Sequence, residues 1–420
     1  MNANHFDLLL KGLLLDDAQH INGYREIGIR GGRVAAVAER LPDATADQVV
    51  SAPEGSAFSP GFIDIHAHVY AGVTSWGAVA DPPCLTGGVT TVVDAGSPGW
   101  TMLQGFRWLI HERTRVRALC FLHISGVGLV NAWVNECEDL SHLHPLTVGE
   151  HAAENSDLVV GIKVRQGRQQ VGDHGTEPLR RALEAAEISG MPVMCHIAQG
   201  IPLARVLEQM RAGDIITHCF QGRGGTGENV IDETGGLHPA AVEARARGVV
   251  MDVGHGGGSF RWEQAERALE LGYLPDVVST DLHAYNLHGP LYDMALTLTK
   301  FLHLGLPLEK VIALTTSGPA RAIRRPELGT LKPGSPADVT LLHVASEPTV
   351  LWDTHGGRRA TDRRIRVDAV WRDGAAVDLA ALQHETEADI TRRCRLRGPD
   401  GLTHSWRAAL KARGIDPDAV

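Results

Sequence analysis

The sequence predicts an α/β protein: a (β/α)8 TIM-like barrel with a small β-sandwich built from both chain ends. Three observations carry this. Between residue 61 and about residue 324, eight short apolar, β-rich runs alternate with helical stretches. Hairpin-forming β segments precede that region and return after it. The 420-residue length holds one large barrel and an accessory domain. Continuous apolar strands alternating with helices call for parallel pairing through right-handed crossovers. A doubly wound open sheet is the other arrangement that this alternation allows.

Residues 6–56 read as short β pieces. Phe6–Leu10, Leu13–Leu15, Glu26–Arg30 and Arg33–Ala38 are separated by Gly12, Asp16-Asp17 and Gly31-Gly32. Gly-Gly between two such runs signals a hairpin. So little chain buries a poor core alone, so it is expected to pair with a distant segment. Pro60-Gly61 then reads as a turn. The eight barrel runs are Phe62–Ile65, Thr90–Val93, Ala118–Leu122, Leu158–Ile162, Val193–Met194, Ile215–Thr217, Val249–Asp252 and Val277–Thr280. Pro178–Ser189, Pro202–Arg211, Ala240–Ala246 and Trp262–Leu271 are amphipathic helix candidates between them.

After Ile323 the β signal returns. The turn cluster 329–338 precedes a strand at Val339–His343, and Arg364–Trp371 and Ala375–Val377 flank the hairpin signal Asp373-Gly374. The expected division is 1–57 plus 325–380 for the β-sandwich and 58–324 for the barrel. Residues 381–420 form a tail, partly helical, with a basic cluster at 392–397 and a candidate helix at Ser405–Ala412.

The formal net charge of −10 disfavours a general nucleic-acid binder. Twenty-one histidines raise the prior for metal chemistry. Six cysteines are scattered with no Cys-x-x-Cys pair, which argues against a disulfide scaffold and for a reducing compartment. The first residues lack a basic stretch, and Lys11-Gly12 splits the leucine runs Leu8–Leu10 and Leu13–Leu15, so a signal peptide or membrane span is not expected. The expectation is a cytoplasmic protein with no membrane partner.

In a β/α barrel, functional residues sit at the C-terminal strand ends. The first run ends in His66 and His68, whose i, i+2 spacing points both rings to one face. Lys163 follows the fourth run, His196 the fifth, His218 the sixth and Asp281 the eighth. Singly, each has a bland reading: a core histidine, a snorkelling lysine, a helix-capping aspartate. Together they form a set of metal-ligand type at the ends of five strands.

The order and context of these residues resemble the amidohydrolase superfamily of metal-dependent hydrolases. The matches are Pro-Gly-x-Ile-Asp-x-His-x-His at 60–68, Lys163, His196, His218, Asp281 and Gly-x-Leu-x-Pro-Gly-x-x-Ala-Asp at 329–338. Gly161-Ile162-Lys163-Val164-Arg165 and the 252–260 stretch resemble its dihydroorotase-like and N-acyl-amino-acid deacetylase branch. The resemblance spans about residues 6–378 and implies two divalent metal ions, usually Zn2+. His66, His68 and Asp281 would hold one ion, and His196 and His218 the other. Lys163 would bridge them as a carbamate, because an ammonium has no lone pair to offer. A metal-bridging hydroxide would attack, with Asp281 carrying the proton.

The implied function is removal of an acyl group, acetyl above all, from a small carboxylate-bearing substrate: an N-acyl amino acid or an acylated 2-hydroxy acid. Arg165 lies two residues beyond Lys163, where its fork suits the substrate carboxylate. A salt bridge to a neighbouring loop is its equally open alternative. His255 and His283 are further candidates for substrate contact, and the Gly256-Gly257-Gly258 run offers backbone N–H groups. Gly222-Arg223-Gly224-Gly225-Thr226-Gly227 matches a dinucleotide fingerprint in letters only, because loop rather than helix follows it. Two competitors stay open: a cyclic amide hydrolase of dihydroorotase or hydantoinase type, and a non-catalytic binding relative. Homo-oligomerisation is an expectation by analogy.

Overall fold

The computed structural model describes residues 5–132, 134–222, 229–394, 411 and 414–416. The glycine-rich stretch at 223–228, the end of the basic cluster at 395–397 and the candidate helix at 405–412, Lys411 apart, lie outside the described residues. Five strands open the chain: β1 (His5–Asp16), β2 (Ile21–Arg30), β3 (Arg33–Ala38), β4 (Thr45–Ser51) and β5 (Ser56–Pro60). β1 is one strand rather than two, because Gly12 stays in register opposite Arg25 of β2. Along its other edge β1 pairs in parallel first with β4 and then, at Leu13 and Leu14, with β5. The sheet forks there. Gly31 and Gly32 take positive φ values of 56° and 73° at the β2–β3 hairpin, as the turn chemistry requires.

Seven parallel strands follow in sequence order: β6 (Phe62–Ala67), β7 (Val89–Gly99), β8 (Arg117–His123), β9 (Val159–Gln166), β10 (Val193–Ile197), β11 (Ile215–Thr217) and β12 (Val250–Asp252). The eighth position is filled by 277–282. This segment bridges β12 through Asp252–Val277 and β6 through Ala67–Leu282, both parallel. The sheet therefore closes on itself as a TIM barrel, and the open-sheet alternative falls. Ile63, Ile65, Val93, Leu119, Phe121, Val160, Met194 and Ile215 fill its lower interior, leaving the C-terminal strand ends for polar side chains.

Pro60-Gly61 is not the turn that the sequence suggests. It is a one-residue joint between β5 and β6. A Cβ on Gly61 would lie 2.1 Å from Thr90 Oγ1, so glycine is there for a close approach to β7. The amphipathic helix at Glu177–Ser189 buries Leu179, Ala182, Ala185 and Ala186 on one face and ends at Gly190 in the left-handed conformation. The candidate at 202–211 is shorter, Leu203–Leu207. Beyond its end Asp214 accepts the Arg211 N–H at 2.8 Å and also holds the Val193 N–H of β10.

The chain returns as β13 (Val339–Trp352), β14 (Arg358–Arg372) and β15 (Ala375–Ala376). β13 pairs with β5, so both ends of the chain share one eight-stranded sheet in the order β15-β14-β13-β5-β1-β2-β3, with β4 beside β1. Its core is Leu8, Leu10, Leu14, Ile27, Phe58, Val339, Leu341 and Trp371. β13 and β14 run past this core and grip the barrel helix Met294–His303. Ile365 N–H donates to Thr299 Oγ1 at 3.1 Å. Lys300, fully buried, donates to the carbonyls of Trp352 (2.7 Å) and Pro290 (3.2 Å) and to His255 Nε2 (2.6 Å). Helix Glu387–Cys394 follows in the tail. Among the described residues no helix is long and apolar enough to cross a membrane.

Burial pushes the Lys300 ammonium down to about 7. An unfolded lysine binds its proton up to about pH 10.4. The unfolded state therefore binds more protons between those values, so this residue adds stability as pH rises through that window. Lys300→Met strands two buried carbonyls and should cost about 1–3 kcal/mol for each. Urea unfolding should show the gap between wild type and variant widening from pH 7 to pH 9.5.

Candidate metal centre

The strand ends bring every residue of the expected metal set together. His66 stands in β6 and His68 one residue past its end, where the pairing with β7 shifts register between Asp64 and Ala67. Lys163 stands on β9, His196 on β10, His218 just after β11, and Asp281 in the eighth segment. Asp281 Oδ1 lies 3.4 Å from His66 Nε2 and 3.2 Å from His68 Nε2. Lys163 Nζ is 3.3 Å from His66 Nε2. His218 Nε2 and His196 Nδ1 approach to 2.7 Å. His66, Lys163 and His218 are entirely buried, and His218 and Asp281 carry positive φ angles of 75° and 49°. Such backbone costs about 1–3 kcal/mol per residue and concentrates at functional sites.

The surrounding hydrogen bonds decide which ring nitrogen faces inward. Thr217 Oγ1 donates to Asp252 Oδ2 at 2.7 Å, so it accepts from His66 Nδ1 at 2.8 Å. The proton of His66 is therefore on Nδ1, and Nε2 presents a bare lone pair. His218 Nδ1 faces the Gly254 carbonyl at 2.7 Å and must donate to it, which bares Nε2. His68 Nδ1 sits 3.1 Å from Ser97 Oγ. Asp94 fixes that corner by accepting the N–H groups of Val69 and Ser97. Asp64 accepts the N–H groups of His66 and Thr280 and ties β6 to the eighth segment.

Burial keeps these rings neutral, pushing His68 down to about 3, His218 to about 4, and His66 and His196 well down. Burial also lowers Lys163 to about 8, towards the neutral amine that carbamate formation needs, and raises Asp281 above the usual carboxylate range. The bared His66 Nε2 faces the Asp281 carboxylate at 3.4 Å, acceptor against acceptor, a contact that a cation between them would relieve. The neutral imidazoles and the carboxylate are the donor set that a divalent ion takes. The residues present fit the implied metal pair.

The residues expected at the substrate differ in placement. Arg165 lies beside the centre, but its fork is closed. Nε and Nη2 each donate at 2.6 Å to the two oxygens of buried Glu136, leaving Nη1 without a hydrogen-bond partner among the described residues. The salt-bridge alternative is thus realised. His255 is fully buried with both ring nitrogens engaged, by the Gly256 carbonyl (2.9 Å) and Lys300. It stacks on Phe260 at 4.8 Å and has no nitrogen left for a substrate. The Gly256 N–H is spent on the Thr280 carbonyl. His283 stands at the rim against Trp76, at 5.0 Å between ring centroids, and 6.4 Å from His68.

Sequence reading passed over Thr217, Asp252, Asp94 and Ser97, which orient ligands, and His123 and Glu136. Only His123 carried a signal, because it ends a predicted strand as His196 does.

Comparison with known proteins agrees with this geometry. The model of the amidohydrolase family matches residues 84–378. The chain belongs to the amidohydrolase family and is a metal-dependent hydrolase. A deacetylase of Agrobacterium fabrum is 35% identical over 327 residues, covering 77% of this chain and 79% of that one. A deacetylase of Enterococcus faecalis is 34% identical over 360 residues, covering 84% and 95%. Among solved structures, an adenine deaminase superposes with TM-score 0.83 at 31% identity, covering 89% of this chain and 100% of that one. A dihydroorotase gives 0.76 at 32%, covering 88% and 97%.

Gly96 (φ 88°) leaves room for Lys163: a Cβ there would lie 2.5 Å from Lys163 Cγ. Gly96→Ala and Lys163→Ala should both fold yet bind at least about tenfold less metal at limiting concentration. Elemental analysis of protein purified without chelator checks this, and full metal content in either variant would refute it.

Proposed function

We propose that this chain is a binuclear metal-dependent deacylase. It removes an acyl group, acetyl above all, from a small carboxylate-bearing substrate such as an N-acyl amino acid or an acylated 2-hydroxy acid. The observation that carries the reading is the convergence of bared imidazole lone pairs, Asp281 and Lys163 at one end of the barrel. The deacetylase relatives supply the acyl group. His66, His68 and Asp281 would hold one ion, His196 and His218 the other, and Lys163, as a carbamate, would touch both. Zinc suits this nitrogen and oxygen set.

When bound, the metal pair supplies Lewis-acid polarisation of a carbonyl and acidification of water. Asp281 holds the moving proton. Burial raises its carboxyl, so it can take a proton from the attacking water and return it to the leaving nitrogen or oxygen. Thr217 and Asp252 hold the tautomer of His66 through the cycle, and the Gly254 carbonyl holds that of His218. Arg165 offers Nη1 to the substrate carboxylate. Glu136 neutralises the guanidinium and fixes its plane, so the remaining N–H groups, Nη1 foremost, are presented in a set direction.

Ring opening of a cyclic amide uses the same centre, and the dihydroorotase structural relative favours it as the second reading. The metal-loaded protein should hydrolyse at least one member of a panel of N-acetyl amino acids of both configurations and O-acetyl 2-hydroxy acids. Turnover of dihydroorotate or a hydantoin with that panel inert would select the second reading instead.

Arg165→Met alone leaves Glu136 charged and buried, a loss of about 3–5 kcal/mol. Arg165→Met combined with Glu136→Gln removes both charges and should recover most of that stability. The double variant should still raise KM for the carboxylate substrate about tenfold, the worth of one charged hydrogen bond. It should leave KM for the corresponding amide unchanged. Thermal melts and steady-state kinetics check the two parts separately.

A further inference from the structure

His123 ends β8 and is fully buried, and no ligand role falls to it. β8 and β9 pair in parallel with His123 opposite Lys163, so both side chains point into the barrel. They meet over Gly96, where a Cβ would lie 2.5 Å from Lys163 Cγ and 3.2 Å from His123 Cδ2. The Ser125 N–H donates to His123 Nδ1 at 3.0 Å. That nitrogen must therefore carry a lone pair, and the ring proton belongs to Nε2. His123 Nε2 is buried without a hydrogen-bond partner. Its nearest carboxylate oxygen, Glu136 Oε1, is 3.7 Å away and already accepts from Arg165. Several buried N–H donors lack a partner among the described residues, Trp100 and Trp262 Nε1 included, and His123 is the one set in register beside Lys163.

His123, Glu136 and Cys137 also lie close enough to suggest a third metal position. The chemistry argues against it. Arg165 occupies both Glu136 oxygens, and burial pushes the Cys137 thiol far from its thiolate. A donor N–H rather than a lone pair faces the cluster.

We infer that the His123 Nε2–H donates a hydrogen bond to the scissile acyl oxygen of the substrate. The inference rests on the acyl-cleaving reading above. The register selects this oxygen over the substrate carboxylate. His123 shares the level of Lys163, beside the expected metals, whereas Arg165 stands two residues further along β9. A preset neutral donor aimed where negative charge grows lowers the barrier without reorganising.

Kinetics on the best acetylated substrate of the panel test the inference, with His123→Phe, His123→Leu should Phe not fold, and His123→Gln, whose amide reaches the same place. Removing the donor should lower kcat about 10²-fold with KM within about threefold, and Gln should restore at least about tenfold of it. Metal content should stay at that of wild type throughout. Unchanged kcat, a rise in KM with kcat preserved, or loss of a third metal equivalent would each overturn the inference. Nitrogen NMR of the metal-loaded protein with isotope-labelled histidine, assigned through His123→Gln, is independent of turnover. A proton on Nε2 alone is expected, and a proton on Nδ1 overturns the inference. Should wild type cleave no acyl substrate, the proposed function fails while this measurement still decides the state of His123.

Discussion

The top of this barrel depends on the cost of crowding neutral imidazoles, a lysine and a carboxylate into a buried space. His66, His68, His196 and His218 are held neutral by burial, and hydrogen bonds behind His66 and His218 turn their free nitrogens inward. Holding the Asp281 carboxylate against the bared His66 nitrogen is unfavourable in a low-dielectric interior unless a cation lies between them. The scaffold accepts that cost. It adds left-handed backbone at His218 and Asp281 and a glycine at 96 that gives Lys163 its path. These features share a cause, because strain and close approach persist only where the rest of the fold over-determines them.

The over-determination comes from both sheets. Asp64 and Asp94 pin the loop ends of β6 and β7 from beneath the ligands. The long β13–β14 arms reach across from the terminal sheet and hold the helix that carries Lys300. Lys300 in turn fixes His255 and the loop after β12, whose Gly254 carbonyl sets the His218 tautomer. The sheet built from the two chain ends thus acts on the centre through one buried lysine.

The barrel and the convergence of the candidate metal set were legible because their signals are local. An apolar run ending in a polar side chain says where that side chain points, and six such positions, four of them histidines, stand at five strand ends. Residues whose role depends on a partner elsewhere left no local trace. Thr217 and Asp252 read as ordinary strand residues until His66 lies behind them, and His255 reads as a site residue until Lys300 meets it. Pro60-Gly61 read as a turn because glycine's closeness to Thr90 of another strand cannot be seen along the chain. The full length of β13 and β14 was hidden by charged residues, Glu347, Arg364 and Arg366 among them, which pair with one another across the strands.

Arg165 carries this argument to the substrate. A free guanidinium at a metal centre would repel the cations and bind any anion indiscriminately. Closing two of its five donor positions on Glu136 offsets the charge and fixes the direction of those that remain. On the proposed reading selectivity shifts from charge to geometry: the substrate would place a carboxylate oxygen at Nη1 while its acyl carbonyl reached the level of Lys163 and His123. Two fixed donors at different heights of one strand pair define a distance, and a distance discriminates among small substrates better than a charge does.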